Sequence, residues 1–162
     1  MVNVDIVEKG LVVQKKAKFN MVELYKSLKS WFDLHDYEFQ EREYGEEATD
    51  KKTAKIGWMG RKDVNEYVSY RLPISITLKN YETIKTKQGN VVEGDITVKI
   101  GANVRSDYEN KWESAPIMHF FRSVFDRIIA SDKTQKYEKE LKKDVHDIFH
   151  RIKSFLNLQK FN

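Results

Sequence analysis

The sequence predicts an α+β domain in which a long, curved antiparallel sheet packs on an N-terminal helix and on C-terminal amphipathic helices. Three observations predict it. Val64, Glu66, Val68, Tyr70, Leu72, Ile74, Ile76 and Leu78 share one parity, a two-residue period sustained over 15 residues. Lys87-Gln88-Gly89-Asn90 then reads as a hairpin turn, after which Val92, Ile96, Val98, Ile100, Ala102 and Val104 resume that period. Finally, Tyr137, Leu141, Val145, Ile148, Phe149, Ile152, Phe155 and Leu156 fall on one stripe at helical spacing. An apolar sheet face needs a cover, and this stripe supplies one.

The elements follow in order. Val4, Ile6, Leu11, Val13 and Ala17 read as extended, with Gly10 at a bulge or turn. Asn20 is a good N-cap, and Glu23 stands three residues on, as in a capping box. Met21, Leu24, Tyr25, Leu28, Trp31 and Phe32 then predict a helix to about His35 with one wide apolar face. Residues 37–46 start as a strand, and 46–52 read as a charged loop. Ala54, Ile56 and Trp58 predict one face of a strand over 53–60, with Arg61-Lys62-Asp63 as a tight connection to the long strand at 64–78. Pro73 removes a ladder donor and predicts a bulge or edge there. Strands of this length twist and coil, and Gly94 and Gly101 leave room for sharp curvature. Pro116, with Ser114 before it, opens an aromatic helix at 117–130, and the last helix is expected over 134–156.

Length and composition bound the function. A single domain over residues 1–162 buries roughly 70% of its unfolded surface, enough for a full core. There is no cysteine, which excludes disulfides, thiolate metal sites and thiol nucleophiles. No apolar run is long enough to span a membrane, and Asp5 and Glu8 interrupt any signal-peptide core, so a cytoplasmic location is expected. The net charge of +4 comes entirely from residues 111–162, with 11 basic and 7 acidic groups. Those groups form no dense basic stripe, which disfavours nucleic acid as a partner.

The segment VVQKKAKFNMVELYKSLKSWFDLHDYEFQEREY, residues 12–44, resembles the first strand, helix and second strand of the START-like helix-grip superfamily of polyketide cyclases and lipid-transfer domains. The hairpin at 64–105 and the helix at 134–156 fit its later sheet and closing helix. The resemblance implies a curved sheet wrapped around the last helix and an apolar small molecule or lipid bound between them. Five or six strands are countable here against the superfamily's six or seven, and the helix at 117–130 is additional.

Candidate sites follow from residue type and position. Trp58, Tyr70, Trp112, Phe121 and Phe125 offer apolar surface for a ligand pocket, Tyr and Trp each adding a polar handle; the alternative is a packed core. Glu66 falls on the apolar parity of the long strand, where burial would raise its pKa and suit acid–base work; at a strand end it would simply reach water. His146 and His150 stand four apart on a helix, as in zinc proteases, but Asp147 replaces the usual Glu and cationic Lys142, Lys143 and Arg151 surround them. The acidic run Glu38, Glu41, Glu43, Glu46, Glu47 has no calcium-loop spacing and reads as a solvated edge. The flanking Lys and Arg of the last helix would also suit an anionic surface or a partner's groove.

No phosphate loop, nucleophile elbow or other cofactor motif is present, and no cofactor is expected. The expected function is a non-enzymatic binding module for a hydrophobic small molecule or lipid. The alternatives are a protein–protein interaction or structural protein without a pocket and, less favoured, a cyclase- or hydrolase-type enzyme.

Overall fold

The computed structural model describes residues 2–5, 10–48, 52–87, 89–106 and 133–158. These form strands β1 (Val2–Asp5) and β2 (Leu11–Phe19), helix α1 (Met21–Leu34), strands β3 (Glu38–Ala48), β4 (Lys52–Asp63), β5 (Val68–Thr86), β6 (Gly89–Ile100) and β7 (Asn103–Ser106), and helix α2 (Lys133–Leu158). The predicted helix at 117–130 lies outside the described residues.

All pairings are antiparallel. β5 pairs with β4 on one side and with both β6 and β7, end to end, on the other. β2 continues from β6, and β1 from β7. The described sheet is therefore five strands wide: β3, β4, β5, the β6/β7 column and the β2/β1 column. Pro73 sits where β6 gives way to β7. Its carbonyl accepts from Gly101 N–H, so its missing donor points at the one place where the neighbouring ladder is already interrupted. That reconciles a proline with a central strand.

A second irregularity changes parity. Between Lys79 and Glu82 the β5–β6 register shifts, with Asn80 at φ 53°. Beyond it, Tyr81 becomes the buried side chain, whereas the even-numbered residues are buried before it. A Cβ on Gly94 would lie 2.8 Å from the Tyr81 Cα, so only glycine fits opposite this bulge.

The expected strand start at Val64 and the connection at 61–63 both move. β4 runs on to Asp63, and the turn falls at 64–67. Asn65 Oδ1 accepts from Tyr67 N–H and Val68 N–H, both at 2.8 Å, and Val64 N–H donates to the Val68 carbonyl. A short amide side chain that captures backbone donors in this way favours a turn over a ladder.

Both helices lie on one sheet face. α1 is capped by Asn20, whose Oδ1 accepts from Val22 N–H and Glu23 N–H. It ends with Asp36 at φ 62°, where Asp36 N–H reaches the Asp33 carbonyl and Tyr37 N–H the Phe32 carbonyl, a Schellman closure without glycine. Leu24, Leu28, Trp31 and Phe32 go into the core over β3 and β4. α2 buries Leu141, Val145, Ile148, Ile152 and Leu156, the predicted stripe, against the rest of that face. Its last turn is tied down by Lys15 of β2, which donates to the Leu156 carbonyl and to Asn157. Among the described residues, no helix is long and apolar enough to cross a membrane.

Candidate functional site in the seam between sheet and C-terminal helix

Glu140, Asp144 and Asp147 stand at i, i+4 and i+7 on α2, along one edge of its apolar stripe. Each accepts a hydrogen bond from an aromatic donor elsewhere in the fold. Tyr70 Oη of β5 donates to Glu140 (3.3 Å), Tyr37 Oη to Asp144 (2.9 Å), and Trp31 Nε1 of α1 to Asp147 (2.9 Å). Tyr70, Trp31 and Tyr37 are all buried. Tyr137 of α2 packs edge-on to Tyr70 and takes a hydrogen bond from Asn65. The seam thus joins these polar pairs to the hydrophobic core, in which the neighbouring Leu72, Leu141 and Val145 are fully buried.

The electrostatics follow from burial. Desolvation, then the charge and hydrogen bond of Asp144, push the Tyr37 phenol far above its ordinary range. Desolvation, then Glu140, does the same for Tyr70. Both hydroxyls therefore stay protonated donors at any physiological pH. Desolvation also raises Asp144, outweighing the Tyr37 hydrogen bond and the charges of Lys62 and His35, which pull it down. The Lys62 ammonium lies 5.5 Å from the centroid of the Tyr37 ring.

Of the residues singled out in sequence, Tyr70 lies in this seam. Trp58 shares the same sheet face but packs under α1, against Tyr25 and Phe39. Trp112, Phe121 and Phe125 lie outside the described residues. Glu66 is exposed at the 64–67 turn, because the strand whose parity would have turned it inward begins only at Val68. His146 is half-buried and His150 exposed on α2. No group of three or more metal-ligating side chains occurs among the described residues. Glu38 and Glu41 lie on β3, an edge strand with a bulge between Glu41 and Glu43, where charge discourages pairing with a further strand.

Sequence reasoning missed Tyr37, Asp144 and Glu140. The spacing of the three carboxylates beside an apolar stripe was the available signal, but nothing local told which donors they would meet. No family model matches the chain, and no curated protein or solved structure matches it.

Proposed function

We propose that the protein is a non-enzymatic binding module that holds an apolar small molecule or lipid between the sheet and α2, on a helix-grip-like scaffold. The observation that carries this reading is the seam itself. The Tyr37–Asp144 and Tyr70–Glu140 pairs stand beside an apolar wall of sheet and helix side chains. Apolar side chains with a few convergent polar groups among them are the make-up of small-ligand sites, and in this reading the ligand enters by displacing part of the packed seam. Two helices laid on one face of a five-strand-wide sheet support the scaffold part of the reading. The exposure of Glu66 favours binding over acid–base chemistry, since it leaves that carboxylate in water.

In this reading the wall of Leu72, Leu141 and Val145 takes the apolar body of the ligand, and the Tyr70 hydroxyl fixes its polar end. Titration with a pyrene-labelled fatty acid, read by fluorescence, tests it. Saturable binding is expected. Tyr70→Phe should weaken it roughly two- to tenfold, the value of one hydrogen bond. Leu141→Trp, which adds bulk to the wall, should abolish it. Absence of saturable binding, or binding that Leu141→Trp leaves unchanged, rejects the reading.

A further inference from the structure

The sheet face turned away from the helices carries a second polar cluster. Tyr70 and Leu72 point toward α2, so alternation along β5 turns Ser69 and Arg71 the other way. Register places Arg61 of β4 and Asn103 of β7 on either side of Arg71, and Asp63 and Arg105 on either side of Ser69. Directly opposed residues share a face, so these six side chains form two adjacent rows across three strands.

The single described carboxylate within these rows is already engaged. Asp63 accepts from Arg61 Nε (3.0 Å) and Nη2 (3.1 Å) and from Ser69 Oγ (2.8 Å). Partial burial works to raise its pKa, but those hydrogen bonds outweigh it and hold Asp63 ionised below the ordinary range. In the neighbouring strand, Glu38 is the register partner of Arg61 and accepts from Gln40, while β1 brings the Asp5 backbone opposite Asn103. Arg71 is 7% exposed and Ser69 fully buried, on a sheet face that neither α1 nor α2 covers. Arg71 Nε, Arg105 Nε and Asn103 Oδ1 are buried with no hydrogen-bond partner among the described residues. Buried polar atoms are almost always paired, so three orphans in one patch call for an explanation. Desolvation, then the like charges of Arg61 and Arg105, lower the Arg71 pKa, and the charge of Asp63 only partly offsets them.

We propose that Arg71 and Arg105, with Asn103 beside them, form a phosphate-binding site on the face of the sheet opposite the helices. Arg71 and Arg105 are diagonal neighbours on adjacent strands, within reach of one anion for side chains of that length. A tetrahedral phosphate spreads its oxygens widely enough to take an Nε–H from each guanidinium at once, whereas a carboxylate suits a single guanidinium fork. The Asn103 carboxamide oxygen accepts from a protonated phosphate oxygen or a neighbouring hydroxyl. This site is independent of the seam and does not rest on the ligand proposed there.

Calorimetric titration and thermal denaturation of the full chain with inorganic phosphate test it, against sodium chloride and sodium acetate at matched ionic strength. Glycerol 3-phosphate forms a further arm that separates an esterified from a free phosphate. Saturable binding and a rise in Tm with either phosphate, exceeding chloride and acetate, are expected. Arg105→Gln, at a half-buried position, should weaken binding about tenfold or more. Arg71→Lys keeps the charge and should weaken it comparably by losing the Nε donor. The proposal is overturned if neither phosphate stabilises the protein beyond matched chloride, if acetate does so equally, or if the folded Arg105→Gln protein binds phosphate as wild type does.

Discussion

Asp144 carries its charge half-buried between α2 and the Tyr37 hydroxyl, and its raised pKa fixes the sign of a pH effect. The folded state binds this proton more tightly than the unfolded chain. Ionisation therefore subtracts from stability at neutral pH, and the penalty fades as pH falls through the raised value toward the ordinary 3.8. Asp144→Asn removes the charge and keeps an acceptor for Tyr37. In urea at pH 7 it should be at least as stable as wild type, and that advantage should vanish by about pH 4. Asp63 titrates with the opposite sign, but it is common to both proteins and cancels. An Asp144→Asn protein whose relative stability grew on acidification would refute the assignment. Asp144→Ala, which leaves a buried phenol unpaired, should instead cost about 1–3 kcal/mol. A steric prediction belongs at the same scale. A Cβ on Gly60 would stand 2.3 Å from the ring of the fully buried Phe32. Gly60→Ala should lower stability by about 1–3 kcal/mol through overpacking, read as a shift in the urea midpoint. A midpoint unchanged from wild type would mean that α1 is not held against β4 as described.

At the scale of elements, α2 is the clearest case of sequence reading through to structure. Its five buried residues, Leu141, Val145, Ile148, Ile152 and Leu156, are members of the stripe that periodicity alone picks out. Ile148→Ala should cost about 2–5 kcal/mol in thermal denaturation, while Lys142→Ala on the exposed side should stay within about 0.5 kcal/mol. Similar effects at the two positions would contradict the helix's role as cover. α1 was legible at its start, because Asn20 is a cap by residue type. Its end was less so, since the left-handed closing residue is Asp36 and not glycine. The long strand is legible in its middle, its start is placed too early, and a change of parity near its far end leaves no trace in the period. Asn65 converts the run from Val64 into a turn, and Asn80 flips the parity before Tyr81. Both are short amide side chains in non-ladder backbone, a local competition that hydrophobic period does not register.

For the whole molecule, parity placed Trp58 and Tyr70 on the buried face, but it could not show that they sit under different helices. The Tyr37–Asp144 pair was not legible, because its members are 107 residues apart and are joined only by the packing of α2 on the sheet. The arginine rows escaped for a related reason. Arg61, Arg71 and Arg105 come from three strands, and cross-strand register, not sequence spacing, assembles them. The central claim concerns the seam between sheet and α2, and native mass spectrometry tests it most directly. The protein would be purified without detergent, then examined as isolated and after incubation with a long-chain fatty acid. The account predicts an added mass that organic extraction removes and that Leu141→Trp never carries. A wild-type protein showing only the bare chain mass under both conditions would contradict it.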